Sequence, residues 1–348
     1  MSEFVLNTWN ISQLQFPPSA SSSEILRFLL NYAVLAPSGH NTQPWLFQIN
    51  GNVLEFYADR SRALPIVDPQ NRALTISCGA ALLNLRIAIR HFNYAGEIET
   101  FPNHNDPDLL ARIRLGQRKE ATQQEHLLFE AIPKRHTNRK EFEDRQVPSS
   151  LLGEFQAAAS EEGCWLHIMQ NEDQKKVVAD LIAEGDRLQL SNKQFRQELA
   201  KWIRNRDSST HDGMPGYAFG MPDVPVVDLM SLVGSFAMRT FDMGKIQATK
   251  DYQLAVNSPI LVAIGTENDT PKAWLSAGQA LGKILLQARA QEIWASFLNQ
   301  PIEVPQLRFQ LRDALGQTGF PQLLFRIGYG SSVKATPRRM VSEVLREN

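Results

Sequence analysis

The 348-residue chain contains an internal repeat, and this feature constrains its fold more than any other. Residues 77–90 match residues 276–289 at a constant offset of 199, with five of fourteen positions identical. Two buried helices can resemble each other by chance, so this match alone is weak. Residues 35–45 also match residues 155–165, at an offset of 120. Two pairings in the same order predict a duplicated unit, whose two copies pack as the subunits of a homodimer do.

The two offsets differ by 79, which predicts an insertion of that length between Gln170 and Ser276. We place the boundary between the halves in the polar stretch after Asn103, which gives halves of 1–125 and 126–348 and an insertion at about 172–250. Five of the eight methionines fall in or near the insertion, which fits a flexible lid and fits ordinary packing equally well. They are Met214, Met221, Met230, Met238 and Met243.

The pattern of helices and strands predicts an α+β fold with mixed or antiparallel sheets flanked by helices. Ser21 and Glu24 form a capping box before an apolar helix over 25–35, and Asn50-Gly51 predicts a hairpin between strands 45–49 and 53–58. Further helices are predicted over 73–92, 151–159, 172–206 (two helices) and 271–291, and further strands over 165–170, 258–265 and 322–329.

Composition argues against several classes of protein. A net charge of −1 argues against a chain that binds nucleic acid over its whole surface, and two cysteines exclude a disulfide scaffold and a cysteine zinc cage. No uninterrupted apolar run approaches the 18 residues of a membrane span, and the N-terminus lacks a signal-peptide pattern. A cytoplasmic protein that contacts neither nucleic acid nor membrane is expected. No metal-ligand spacing, phosphate-binding loop or GxSxG motif occurs.

Two polar segments could form a binding site. The loop over 36–45 carries side chains, Asn41 and Gln43 among them, that can donate and accept hydrogen bonds at the edge of a heteroaromatic ring. The alternative is that the loop is a plain helix-to-strand connection whose polar side chains cap backbone groups, and this would explain any single residue of the loop. In the basic arm over 134–140, Arg135, Thr137 and Arg139 share one side if the arm is extended, which suits a phosphate monoester. A solvated basic stretch is the alternative.

The repeat does not extend to these segments. At an offset of 120 the loop over 37–41 corresponds to 157–161, and the arm over 135–139 corresponds to 15–19, and neither motif is present there. If a site needs the loop of one half and the arm of the other, one site is intact and its symmetry mate is lost.

The loop Pro37-Ser38-Gly39-His40-Asn41-Thr42-Gln43-Pro44-Trp45 resembles the Pro-Ser-x-x-Asn-x-Gln-Pro-Trp loop of the FMN-dependent nitroreductase family. Arg135-His136-Thr137-Asn138-Arg139 resembles that family's Arg-x-Ser-x-Arg phosphate arm, and Thr336-Pro337-Arg338-Arg339 resembles its basic C-terminal motif. In this chain the loop precedes the arm. This order of the two motifs resembles that of the Acg-type subfamily, where one chain carries two nitroreductase-like halves.

The resemblance implies FMN at the interface of the two halves. Its phosphate would be held by the arm and by Arg338 or Arg339, and segment 298–299 would line the ring by position alone. The implied cofactor-binding residues are Pro37, Ser38, Gly39, Asn41, Gln43, Arg135, Thr137, Asn138, Arg139, Leu298, Asn299, Arg338 and Arg339.

The implied activity is reduction of nitro or quinone-like small molecules by NAD(P)H in a ping-pong reaction, with no catalytic side chain because the flavin carries the chemistry. The alternatives are an FMN-sequestering protein with a lid over the flavin, and an interaction protein without a cofactor. The partner would be a small-molecule electron acceptor, and the chain would be a monomeric pseudo-dimer or a weak homodimer.

Overall fold

The computed structural model describes residues 8–204, 209–219 and 242–346. The first half alternates helices and antiparallel strands. Its elements are α1 (Ser22–Ala33), β1 (Trp45–Asn50), β2 (Val53–Ala58), α2 (Arg72–His91), β3 (Tyr94–Thr100), β4 (Leu109–Arg118) and α3 (Gln123–Ala131).

The second half contains more elements. They are α4 (Ser149–Glu161), β5 (Trp165–Met169), α5 (Glu172–Ser191), α6 (Lys193–Lys201), β6 (Ile203–Arg204), β7 (Met214–Pro215), α7 (Gly244–Val256), β8 (Ile260–Thr266), α8 (Pro271–Ala290), β9 (Trp294–Phe297), α9 (Gln300–Glu303), α10 (Pro305–Ala314), β10 (Phe320–Gly328) and α11 (Val341–Val344).

The two four-stranded sheets have the same topology. Both are antiparallel throughout, with orders β1-β2-β4-β3 and β5-β8-β10-β9. When β5, β8, β9 and β10 are matched to β1 to β4 in chain order, the two orders are identical. The long helices α2 and α8 are also equivalent, since 72–91 and 271–290 differ by the repeat offset of 199. The predicted α+β fold is confirmed, and the two sheets share one strand order.

Local chemistry explains how the first half begins. Ser21 accepts a hydrogen bond from the Glu24 N–H, and the Glu24 carboxylate accepts from the Ser21 N–H, so the predicted capping box is present. Gly51 adopts a φ of +60° in the tight turn between β1 and β2. The predicted helix and hairpin are therefore confirmed.

The predicted boundary at 125/126 falls inside helix α3. The apolar side of that helix belongs to the core of the first half, through Leu128 and Phe129. The polar stretch that suggested the boundary contains β4, whose buried Ala111 and Ile113 alternate with the more exposed Arg112 and Arg114. The arginines of the exposed face hid a period-two strand signal.

The insertion between β5 and β8 covers residues 170–259 and replaces a two-residue hairpin turn. It is longer than 79 residues because the connection from β2 to α2, residues 59–71, is reduced to 267–270 in the second half. Helix α7 extends past the predicted end at 250 and packs against α5. Of the methionines assigned to a lid, Met221, Met230 and Met238 lie outside the described residues.

Within the described residues one helix, α2, is long and apolar enough to cross a membrane, although no span was expected. Of the window that meets this criterion, 89% is buried inside the protein. Its burial is that of a core helix, packed against α8.

Candidate functional site

The loop between α1 and β1 folds back on itself. The Ser38 Oγ accepts a hydrogen bond from the Gln43 N–H at 2.9 Å. His40, Asn41 and Gln43 have φ angles of +48°, +55° and +52°, a left-handed conformation that costs free energy in residues other than glycine. Strain concentrated in one short loop is typical of functional sites.

Gln43 anchors this loop to the C-terminal segment. Its Oε1 accepts from the Arg339 N–H at 2.7 Å, and its Nε2 donates to the His211 carbonyl at 2.8 Å. The Arg339 guanidinium donates to the Gln43 carbonyl at 3.0 Å and lies 3.6 Å from the Asp59 carboxylate. Gln43 and Arg339 were predicted to bind a cofactor, but in the structure they hold the loop to the chain end.

Asn41 and Arg338 form the polar corner of the site. The Asn41 Oδ1 accepts from Arg338 Nη1 at 2.7 Å, and Arg338 also donates to the Thr336 Oγ1 at 2.7 Å. The Asn41 Nδ2 donates to the carbonyls of Gly213 and Pro337 at 2.9 and 3.0 Å. One amide therefore joins the first half, the insertion and the C-terminal segment.

The basic arm lies alongside strand β9 at Thr137. Thr137 bridges to Ala295 in parallel, and the Asn138 N–H donates to the Ala295 carbonyl at 3.0 Å. The buried Asn138 side chain donates to the Ser331 carbonyl at 2.9 Å. The arm is thereby held against β9, and Asn138 holds the backbone in place.

These segments enclose a cavity of about 330 Å³, within the size range of small-molecule sites. Of the predicted residues, those that line it are Pro37, Ser38, Asn41, Thr137, Arg139 and Arg338. The other residues that line the cavity were not among the predicted cofactor-binding residues; they are His136, Lys140, Met214, Tyr217, Ala218, Phe297, Ser332, Val333, Lys334 and Thr336.

The arginine and lysine side chains that line the cavity give it a positive charge. Arg139, Lys140, Lys334 and Arg338 line it, and no carboxylate does so among the described residues. Burial, with the charge of Arg135, holds the pKa of Arg338 well below its usual value. A bound anion would relieve this unfavourable concentration of positive charge.

His136 is a neutral imidazole in this environment. Burial, together with the charges of Arg135, Arg338 and Arg289, lowers the pKa of His136 to about 3. Its Nδ1 is buried and has no hydrogen-bond partner among the described residues. An unpaired polar atom beside three arginines is consistent with a site shaped for a ligand that is an anion and a hydrogen-bond partner.

Two further predicted residues, Arg135 and Leu298, are not among those that line the cavity. Arg135 turns to the first half, where its Nη2 donates to the Leu35 carbonyl at 3.3 Å. The Leu298 side chain is buried in the core with Leu324, and the neighbouring Phe297 lines the cavity instead. Phe297 ends strand β9 and Leu298 follows it, so the two neighbouring side chains have different surroundings.

Asn299 and Gly39 complete the predicted set. The Asn299 Oδ1 accepts from the Leu324 N–H at 2.8 Å, so this side chain joins the end of β9 to β10. The Gly39 N–H donates to the Ser77 Oγ at 3.3 Å, which ties the loop to α2. Neither residue is among those that line the cavity in the described part of the chain.

The insertion supplies a wall of the cavity, which the sequence indicated only through its methionines. Met214, Tyr217 and Ala218 line the cavity. The Arg139 Nη1 donates to the Ala218 carbonyl at 2.8 Å. Met243, in contrast, lies at the start of α7, where 38% of its surface is exposed.

No family model matches the sequence. The chain is 29% identical over 330 residues to the putative NAD(P)H nitroreductase Rv3131 of Mycobacterium tuberculosis, covering 93% of this chain and 91% of that protein. It is 26% identical over 343 residues to the putative NAD(P)H nitroreductase acg of the same organism, covering 94% and 97%.

Among solved structures, the FMN and NADPH-dependent nitroreductase NfnB from sphigopyxis sp. strain HMH is 16% identical, with a TM-score of 0.42. The match covers 64% of this chain and 98% of that chain. The sequence matches span nearly the whole of each protein and confirm the resemblance drawn from the loop and the arm. The chain is a full-length relative of proteins named as putative NAD(P)H nitroreductases, acg among them.

Proposed function

We propose that the protein is an FMN-binding oxidoreductase that uses NAD(P)H. The observation that carries the proposal is that two motifs about a hundred residues apart, the 37–41 loop and the 137–139 arm, line the same cavity. The names of the full-length relatives support the same activity. We further propose that the chain is a pseudo-dimer, that the cavity binds one FMN per chain, and that the protein works in the cytoplasm.

The cavity fits the phosphate of FMN. Arg338 and the Thr137 hydroxyl offer charged and neutral donors, and the His136 side chain lines the cavity with them. No carboxylate among the described lining residues opposes a dianion there. We propose that these three residues hold the phosphate, with Arg139 contributing charge.

The rest of the cavity fits a flat ring with a polar edge. Phe297, Met214 and Tyr217 provide apolar surface, and the loop residues Ser38 and Asn41 provide polar groups at one side. Bound FMN supplies the hydride acceptor and donor. The protein holds the ring, and Arg139 places positive charge in the cavity, which favours a reduced, anionic ring.

We propose nitro and quinone-like small molecules as electron acceptors, reduced after the nicotinamide has left, so that both substrates use one cavity in turn. No acid or base from the protein is required in this scheme, which agrees with a cavity whose histidine, His136, is held neutral.

A second candidate is an FMN-sequestering protein. It is favoured by one observation: the insertion contributes Met214, Tyr217 and Ala218 to the cavity and is hydrogen-bonded across it, since the Tyr217 hydroxyl donates to the Ala335 carbonyl at 2.7 Å. A cover of this kind limits access to the cavity.

One experiment separates the two candidates. The purified protein is saturated with FMN, then mixed anaerobically with NADPH or NADH while flavin absorbance is followed. Prompt bleaching, followed by recovery when a nitroaromatic or quinone is added, is the expected result. FMN bound without bleaching would favour sequestration, and a protein that binds no added FMN would overturn both.

A further inference from the structure

Asp212 lies between two arginines from separate parts of the chain. Its Oδ2 accepts both Nη atoms of Arg62 at 2.7 and 2.8 Å. Its Oδ1 accepts the Nε and Nη2 of Arg204 at 3.0 and 2.7 Å. Asp212 is only 9% exposed, and Arg62 follows β2 of the first half whereas Arg204 is in β6 of the insertion. The carboxylate therefore joins the insertion to the first half through charge-assisted hydrogen bonds.

The next two residues are fixed to the polar loop and to the insertion. The Gly213 N–H donates to the Asn41 carbonyl at 3.1 Å, and the Gly213 carbonyl accepts from Asn41 Nδ2 at 2.9 Å. The Met214 N–H donates to the Trp202 carbonyl at 2.7 Å. Gly213 has a φ of +71°, and a Cβ there would lie 2.7 Å from the Trp202 carbonyl oxygen, so glycine is required.

Residues 211–218, here called the strap, cross the cavity from this point. At the far end the Tyr217 hydroxyl donates to the Ala335 carbonyl at 2.7 Å, and the Ala218 carbonyl accepts from Arg139. The strap thus runs from the loop at Asn41 to the segment that precedes Arg338, and three of its side chains line the cavity.

We propose that Asp212 is a positioning residue that holds the strap closed over the ligand, and that opening of the strap sets the rate at which a bound phosphate-bearing ligand leaves. The Asp212 side chain is not among the described residues that line the cavity, so it acts through the strap. The identity of that ligand as FMN rests on the proposed function.

Asp212 stabilises the closed strap relative to the open strap by compensating the charges of two arginines. Closed, the Asp212 carboxylate offsets the charges of Arg62 and Arg204, whose side chains are each 19% exposed. Asp212→Asn keeps the shape of the side chain but takes the carboxylate from Arg204 and leaves Arg62 only its longer ion pair with Asp59, at 3.6 Å, which favours opening. This substitution leaves the residues that line the cavity unaltered. We therefore expect it to change the rate of ligand release, and not the contacts that the closed strap makes with the ligand.

The first test measures release of FMN from the loaded protein by the recovery of flavin fluorescence after dilution. Asp212→Asn is expected to release FMN roughly 10- to 100-fold faster, the equivalent of one lost hydrogen bond to a charged group. The matched control is Asp108→Asn, which breaks the Arg60–Asp108 pair, an exposed pair that includes no residue of the strap, and is expected to leave release unchanged.

The second test does not need a cofactor. Hydrogen–deuterium exchange of the protein without added FMN is expected to show slow exchange at the Gly213 and Met214 amides, and fast exchange in Asp212→Asn. If FMN does not bind the wild-type protein, the proposed function fails while this test still decides the role of Asp212. Unchanged exchange, or unchanged FMN release beside clear FMN binding, overturns the proposal. If Asp212→Asn does not fold, Arg204→Gln removes one of the two arginines and is tested in the same way.

Discussion

Gly79 of helix α2 lies directly against Gly278 of helix α8, and the two residues are equivalent in the repeat. A Cβ on Gly79 would lie 2.2 Å from the Leu275 carbonyl oxygen and 2.9 Å from the Gly278 Cα. A Cβ on Gly278 would lie 2.0 Å from the carbonyl oxygen of Ile76, the repeat equivalent of Leu275. The contact is therefore reciprocal, as at the two-fold axis of a homodimer.

Substitution at this crossing is expected to destabilise the fold. In Gly79→Ala the new methyl group would overlap the backbone of α8, which cannot move without separating the two helices, so the free energy of unfolding should fall by about 1–3 kcal/mol. Urea unfolding measures the change. The control is Gly153→Ala in α4, where an added Cβ meets nothing within 4 Å. That variant should be about 0.5–1 kcal/mol more stable, because alanine favours the helix. Equal effects of the two substitutions would contradict the close crossing.

The neighbouring arginines of the C-terminal segment should have different roles. Arg338 lines the cavity, so Arg338→Ala is expected to weaken FMN binding by about 1.5–3 kcal/mol through loss of a charge-assisted contact. Arg339 bonds to the Gln43 and Glu343 carbonyls, so Arg339→Ala is expected to lower the free energy of unfolding and to change affinity less. Fluorescence titration and thermal unfolding of both variants are the measurements. A larger loss of affinity in Arg339→Ala would reverse these assignments.

A buried carboxyl pair predicts that stability depends on pH. Gln300 Nε2 donates to Asp186 and to Asp251 at 3.1 and 2.8 Å, and burial together with the Asp251 charge raises the pKa of Asp186 to about 8. The folded protein therefore binds more protons than the unfolded chain between about pH 4 and pH 8. The contribution of this group to stability is complete below that window and is lost as the pH rises through it, by at most about 1.4 kcal/mol per pH unit.

The check is urea unfolding at several pH values across that window. Asp186→Asn keeps the size of the side chain and removes the titrating group, so the decline of stability with pH should become shallower. Asp180→Asn, which changes an exposed residue of the same helix, should keep the wild-type decline. If Asp186→Asn and the wild type have the same pH dependence, Asp186 does not titrate in this range.

The stoichiometry of FMN tests the pseudo-dimer. The 37–41 loop and the 137–139 arm line one cavity, and neither motif recurs at the equivalent positions of the repeat, so FMN titration should saturate at one per chain. Flavin absorbance together with protein concentration gives the ratio. Two FMN per chain would require a second site at the pseudo-symmetric position.

The sequence predicts the elements with strong local signals. The capping box at Ser21, the Asn50-Gly51 hairpin and the long helices of the repeat all occur where the patterns place them. Strand β4 was missed because arginines on its exposed face make the segment polar. Helix α10, over 305–314, was also missed; it has few buried residues, so its apolar pattern is weak.

The sequence predicts those residues of the candidate site that belong to local motifs. Motif residues with fixed local geometry, such as Ser38, Asn41 and Thr137, do line the cavity. Leu298, which was chosen by position alone, is buried in the core, and Arg339, which was chosen from the C-terminal motif, bonds to the Gln43 carbonyl. Tyr217 and Lys334 carry no local signal, because only the folded insertion and C-terminal segment bring them to the cavity.

The connection from α1 to β1 takes up residues 34–44, whereas that from α4 to β5 takes up only 162–164. In a homodimer one gene encodes both copies, so any change to such a connection appears twice. Here each copy has its own coding sequence, and one can shorten a loop while the other keeps it. A single chain with two similar halves can thus keep a long polar connection in one half and shorten the equivalent connection in the other, as 34–44 and 162–164 show.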